Sequence, residues 1–399
     1  VLYHWDLGDG TTADGASVQH AYPAGRFTAR VTATSATGET AEAAATITSL
    51  GLTLAAPHVS RYGGLVRFRG RLVPGLSGVR VALYRGSLRV ASARTVRSGR
   101  FAVPGRVGTA ETQYTARYGG AVSDAVTLAV RPAVTVGFRG SGQVGRPLSL
   151  LVRERPLAAG PVTVRIWRNG RLTRRRIGRG RVRLRLATAS PAAYRVVVST
   201  TAVAGYVPAL RRLERIVFPA ALRPGSRGRG VYLLEHRLAE LHYALATVDG
   251  YYGADTADAV IAFQKLYGLP RTGSVDPRFW RALQRGHVPR SRHGGNHVEV
   301  SKERQVLFLV RDGRVILVVP VSTGATGNTP VGLWHVYSKV PGYNAKEMYY
   351  SSFFVGAFAI HGYHSVPPFP ASHGCVRIPL WVAQRVYSLI DYGTPVYIY

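Results

Sequence analysis

"FFVGAFAIHGYHSVPPFPASHGCVRIP" occupies residues 353–379 and holds the only cysteine of the 399-residue chain, Cys375. The apolar run ending on His361 reads as a strand. Pro367, Pro368 and Pro370 stiffen the loop that follows, and ten residues separate His361 from Ser372. A loop of that length can fold back and bring His361 to Cys375. A thiol attacks a carbonyl only as thiolate, and its ordinary pKa leaves it protonated at neutral pH. A neighbouring histidine can take that proton and return it to a leaving amine. Gly374 lets the backbone approach a substrate closely, and the N–H groups of Gly374 and Cys375 are candidates for an oxyanion hole. A lone cysteine is often a small buried apolar group, but between glycine and valine at the end of a proline-rich loop that role is a poor fit.

Working outward, residues 298–399 read as β-rich. Two strands flank a hairpin turn at Asp312-Gly313, "PLWVAQRVYSLIDYG" reads as a helix, and "TPVYIY" reads as a last strand. Residues 287–297, "HVPRSRHGGNH", read as a solvated linker. Residues 219–286 switch to helical period in three short stretches, forming a small bundle. Asp255 or Thr256 is the expected cap of the second helix, Gly268 its stop, and Asp276-Pro277 the start of the third. Residues 51–131 and 132–218 are expected to be two β-sandwiches, because "GVRVALYRGSLRVASARTVRSGRFAV" parallels "GPVTVRIWRNGRLTRRRIGRGRVRLRL" in its strands and glycine turns. Residues 1–50 alternate apolar and polar positions between Asp-Gly and Pro-Ala-Gly turns, again a β module. The fold class is therefore multidomain and mostly β, with one small helical domain.

The charge is as uneven as the fold. Net charge is +32, and 31 of the 52 basic residues lie in residues 51–218 against four acids. Residues 165–185 alone hold ten arginines and no acid. Such a surface adheres to polyanions. Nucleic acid is one candidate partner; anionic cell-wall polymer and lipid headgroups are the others, and the rest of the chain favours those. No apolar run is long enough to span a membrane. The chain opens inside a strand without a methionine, so it is read as a piece of a longer, secreted precursor.

Three resemblances sharpen this reading. Trp5-Asp6-Leu7-Gly8-Asp9-Gly10, His20-Ala21-Tyr22 and Gly25-Arg26-Phe27 resemble a PKD repeat, an immunoglobulin-like sandwich, with its first strand truncated. Leu222-Arg223-Pro224-Gly225, Asp249-Gly250-Tyr251-Tyr252-Gly253, Phe263-Gln264 and Gly268-Leu269-Pro270 resemble the peptidoglycan-binding domain of bacterial wall enzymes. Departures fall at Glu235, where glutamine is usual, and at His242-Tyr243. His361-Gly362, Ser372-His373-Gly374-Cys375-Val376-Arg377, Ser322-Thr323-Gly324 and Thr329-Pro330-Val331-Gly332 resemble the L,D-transpeptidase catalytic domain.

That last resemblance implies a cysteine acyltransferase of the wall, with Cys375 as nucleophile and His361 as base. Ser372 and His373 would shape the loop. Arg377 would meet a substrate carboxylate or brace the loop. It also implies peptidoglycan stems as substrate, 3→3 crosslinking, and carbapenem-type β-lactams as covalent inhibitors. Gly362, Tyr363, Tyr349 and His364 are the further candidates for the substrate groove, with the aromatics equally readable as core. The loop is shorter than in several relatives. His361, His364, His373 and Cys375 form a competing zinc reading, but no HExxH pattern accompanies them, and no metal or cofactor is expected. The alternatives in function are an L,D-carboxypeptidase, with water as acceptor, and a non-enzymatic wall-binding adhesin.

Overall fold

Alternation builds the N-terminal half of the chain. The computed structural model describes every residue except 109 and 111. Leu2–Asp6, Thr12–Asp14, Gly25–Thr34 and Thr40–Ser49 make one antiparallel sheet, in which only Leu7 and Ala29 are buried. The expected partial sandwich is thus a single sheet. Residues 51–131 form a sandwich around Phe68, Leu83, Val103, Tyr114 and Leu128. Residues 132–218 form a second around Leu150, Val164, Ile166, Val196 and Val198. The arginines take the outward positions, as in Arg181–Leu186, where Val182 and Leu186 are buried and Arg181, Arg183 and Arg185 are exposed. Arg171–Gly178 is an edge strand, exposed over all but its last residue. Its charge blocks further strand pairing at that edge.

The helical domain comprises α1 (Arg229–Glu240), α2 (Ala254–Leu266) and α3 (Pro277–Arg285). Asp276 caps α3, accepting from Phe279 N at 2.7 Å, and Gly268 takes the left-handed conformation beyond α2, at φ +63°. The cap of α2 differs from expectation. Gly253 holds that position, because the Asp255 carboxylate instead accepts from Ala246 N and Thr247 N. Thr256 is buried, and its hydroxyl donates to Glu235 at 2.8 Å. Desolvation raises the Glu235 pKa, against the opposing bonds from Gly250 and Thr256.

Two sheets and one helix make the C-terminal domain. Arg314–Pro320, Val306–Arg311, His297–Ser301, Pro395–Ile398 and Gly332–His335 form the first sheet in that spatial order. Ser338–Tyr343, Tyr349–Val355, Phe358–Tyr363 and Val376–Pro379 form the second. Both, with α4 (Leu380–Leu389), close on a core of Val298, Leu307, Leu309, Leu317, Val319, Ile360, Val376, Ile378, Val382 and Val386. The Asp312-Gly313 turn has positive φ at both residues, +49° and +70°, as a two-residue hairpin requires.

Most of the 287–297 linker is exposed, but it is tied to this domain. His297 is buried in the first strand of this domain and pairs with buried Glu299 at 2.9 Å. Glu299 also accepts from Ser291 Oγ, Arg292 N and His293 N. His293 stacks on Tyr397 with 3.8 Å between ring centres, and Arg292 lies over the Tyr399 ring. The segment is a strap fastened by one buried carboxylate.

The helical and C-terminal domains are fused. One apolar cluster runs from Val260, Phe263 and Trp280 through Tyr243 to Val306, Phe308, Val310, Val315 and Val318. Ala244 N and Val318 N complete a strand-like pairing across the junction with Val318 O and His242 O. Asp258 accepts from Trp381 Nε1 of α4 at 2.9 Å.

Candidate active site

The site forms where two parallel strands end beside each other. Phe358–Tyr363 pairs with Val376–Pro379, with Ile360 opposite Val376 and His361 opposite Arg377. Side chains alternate across a strand. Ile360, Gly362, Val376 and Ile378 therefore face the core and α4, while Ala359, His361, Tyr363 and Arg377 share the other face, and Cys375 stands immediately before Val376. This register explains the burial of Gly362, where an added Cβ would stand 2.6 Å from Ala383 Cβ. Gly362 seats α4 behind the site and does not line a groove, contrary to the sequence expectation.

The loop carrying Cys375 is tied at every turn. Ser372, buried, donates from Oγ to Cys375 O at 2.6 Å and accepts from Gly374 N at 3.0 Å. The Gly374 N–H is thereby occupied, so of the two expected oxyanion donors only Cys375 N–H remains a candidate. Thr329 Oγ1 donates to Gly374 O at 2.8 Å and accepts from Gly324 N. Asn328 Nδ2 donates to the carbonyl of His373, whose side chain is exposed. Gly374 sits at φ +125°, and a Cβ there would lie 2.2 Å from the Phe358 ring. Ser322 pairs with Arg377 through both backbone bonds, and Thr323 O accepts from Ala371 N and Ser372 N. Asn328 escaped the sequence reading, although Gly-Asn-Thr-Pro is a turn signal that could have drawn attention to it.

Among the described residues the thiol's hydrogen-bond acceptor is Ala357 O, at 3.7 Å from Sγ, and not the His361 ring. Ala357 sits at a hairpin tip pinned by a bond from Tyr337 OH to Gly356 O. Burial pushes the Cys375 pKa up, against a backbone bond from Ala359 and the nearby charges of Arg377 and Lys346. Burial likewise pushes His361 down to about 4; the bond to Gly362 opposes this and Arg377 adds to it. The resting pair is therefore neutral thiol and neutral imidazole. His361 Nδ1 lies 2.9 Å from Gly362 O, and a carbonyl only accepts, so Nδ1 carries the proton and Nε2 is bare.

The remaining candidates flank this pair. Arg377 braces the loop, donating to Ala371 O at 3.2 Å, and lies 4.1 Å over the Tyr363 ring. Tyr363 meets His361 edge-on, and exposed His364 packs on Tyr363. Tyr349, half-buried, packs between Tyr343, tilted against it, and Tyr350, which it meets edge-on. The four groups of the zinc reading do not converge: among the described residues no three His, Cys, Asp or Glu side chains form a metal-holding cluster.

Comparison with known proteins agrees with this domain order. Residues 295–398 match the L,D-transpeptidase catalytic domain family, residues 227–283 a peptidoglycan binding domain family, and residues 1–49 the PKD domain family. No curated protein matches the chain significantly. Among solved structures, the chain is similar to the L,D-transpeptidase (residues 123–326) from Xylanimonas cellulosilytica. That likeness has 35% identity over 45% of this chain and 98% of the other, with a TM-score of 0.43. A fused Zn-dependent amidase/peptidase/peptidoglycan-binding protein from Clostridium acetobutylicum is 20% identical over 45% of this chain and 99% of its own, with a TM-score of 0.23, too low to bear on the argument. On these family matches the chain carries an L,D-transpeptidase catalytic domain at its C-terminal end, behind a peptidoglycan-binding domain and an N-terminal PKD domain.

Proposed function

We propose that the chain works outside the cytoplasm on the cell wall as a cysteine-dependent L,D-transpeptidase. What supports this most is the parallel register that sets His361 opposite Arg377, two residues beyond Cys375. As Cys375 Sγ attacks the carbonyl between the third and fourth residues of a stem tetrapeptide, its proton passes to His361 Nε2. The C–N bond breaks, and the terminal D-residue leaves as an amine carrying that proton. An amine of a neighbouring stem then gives a proton to Nε2 and displaces the thiolate, closing a 3→3 crosslink. Burial disfavours the imidazolium, so the proton is held only in transit. Arg377, Tyr363, Tyr349 and His364 border the stem, while Ser372, His373 and Gly374 hold the loop. The exposed arginines of Arg171–Gly178 and Arg181–Leu186 hold anionic wall polymer.

The test is intact-protein mass spectrometry after incubation with a carbapenem, on wild type and Cys375→Ala, followed by product analysis on tetrapeptide stems. One adduct on wild type alone and a crosslinked dimer are expected. Shortened stems without dimer would make the enzyme a carboxypeptidase. No adduct on a folded wild type would leave a wall-binding adhesin as the reading.

A further inference from the structure

The loop between His361 and Ser372 has an unusual deficit. Pro367, Pro368 and Pro370 have no N–H, so this stretch offers carbonyls with few donors to match them. It cannot fasten itself through a backbone ladder. Donors must come from elsewhere, and one of them, Arg271, comes from the peptidoglycan-binding domain.

We propose that Arg271 and Lys265 of the helical domain are positioning residues for the cysteine loop, so that acyl transfer depends on a domain otherwise read as an anchor. The inference rests on the reading of Cys375 as nucleophile. Arg271, half-buried in the segment after α2, donates from Nη1 to Pro368 O at 2.6 Å and from Nη2 to Glu303 O at 3.4 Å. The next carbonyl, of Phe369, accepts from Ser322 Oγ at 2.8 Å. Arg271 therefore fixes the proline turn from one domain while Ser322 fixes it from the other.

Lys265 acts one layer deeper. Its ammonium is buried on α2 and donates to Gln305 O at 3.0 Å and Val321 O at 2.8 Å. The Gln305 side chain clamps Thr323, accepting from its N–H at 2.9 Å and donating to its Oγ1 at 2.7 Å. Thr323 O in turn receives Ala371 N and Ser372 N, and Ser372 Oγ reaches Cys375 O. The path from α2 to the cysteine carbonyl is thus a continuous run of hydrogen bonds. A buried ammonium is costly and is replaceable by an apolar side chain where only packing is needed. The adjoining apolar cluster already packs α2 on the C-terminal domain. What Arg271 adds is the fixed position of Pro368 within the loop, and what Lys265 adds is the fixed position of Gln305 and Val321, beside the Thr323 carbonyl that receives Ala371 N and Ser372 N.

The test uses the full chain and the time course of carbapenem acylation, resolved into an encounter constant and a maximal acylation rate. Arg271→Ala should slow the maximal rate about 10- to 100-fold, the scale of a displaced reacting group. The encounter constant, sedimentation with isolated wall and melting temperature should stay near wild type. Arg271→Lys, which keeps one donor to Pro368 O, should recover most of the rate. Lys265→Met should slow the rate in the same way. Equal rates in wild type and Arg271→Ala overturn this inference alone, as does a rate loss that Arg271→Lys fails to restore and that tracks a fall in melting temperature. A wild type that takes no adduct overturns the reading of Cys375 and this inference with it.

Discussion

The junction between the two sandwiches and the junction between the helical and C-terminal domains are built on different terms. At the first, Ala159 and Tyr206 reach into the neighbouring core, and Val207 N pairs with Val130 O. At the second, five strand residues, Val306, Phe308, Val310, Val315 and Val318, belong to the same cluster as Phe263 and Trp280, with a lysine sealed beside it. The N-terminal sheet buries only Leu7 and Ala29. Burial thus rises along the chain toward the cysteine. The sandwiches meet through two side chains, whereas the last two domains share one large cluster, which also takes in Phe218 at the end of the second sandwich, although their sequences shift from helical to β period as sharply as any other pair.

The strongest way to break this comparison is to cut at both junctions. Residues 297–399 made alone should fail to fold. Each exposed core side chain costs about 1.5–3 kcal/mol, and five together cost about as much as the whole 5–15 kcal/mol stability of a typical domain. Removing residues 1–131 should leave carbapenem acylation unchanged. Circular dichroism and mass spectrometry read both outcomes. Next come single residues. Phe263→Ala should cost about 3–5 kcal/mol and shift helical and C-terminal unfolding together. Phe68→Ala should cost as much but move only the first sandwich, leaving acylation intact; two separate transitions in the Phe263 variant would show that the last two domains do not unfold as one.

The third test is pH. Burial holds Lys265 at about 7 in the native state, against 10.5 ordinarily. Between those values the unfolded chain binds a proton that the native chain does not, so stability rises with pH, by up to about 1.4 kcal/mol per unit. Denaturant midpoints at pH 7.5 and 9.5 should show this rise for the fused pair. Lys265→Met should flatten it. The sandwiches, whose cations are all arginine, should show none. The smallest effect is at the surface. Replacing Arg174, Arg175 and Arg176 by alanine should change stability by about 0.5 kcal/mol at most, leave acylation alone, and weaken salt-sensitive retention on a polyanion column.

The sequence made much of this legible where the signal is local. Asp276-Pro277 and Gly268 bounded their helices because capping is chemistry of neighbouring residues. The spacing of His361 and Cys375 was readable because a short loop joining two paired strands leaves few outcomes. Residues 287–297 are largely exposed, as read, but their tie to Glu299 left no signal because that carboxylate is buried by strands that form only in the tertiary fold. Asp255 misled because its carboxylate had a choice of backbone donors. Arg271 and Lys265 carried no signal at all, since each meets backbone carbonyls distant along the chain, and carbonyls have no residue type to pattern.

The neutral resting pair at Cys375 and His361 also bears on how long the enzyme lasts. Peroxide and disulfides react with thiolate, and oxidation follows thiolate character and exposure. Burial keeps Cys375 protonated, and the chain has no second cysteine to form a bridge with it. The one thiol is thus slow to corrode: hydrogen peroxide at pH 7 should consume it more slowly than free cysteine, and in the mechanism proposed above its proton leaves for His361 only as a substrate carbonyl is attacked.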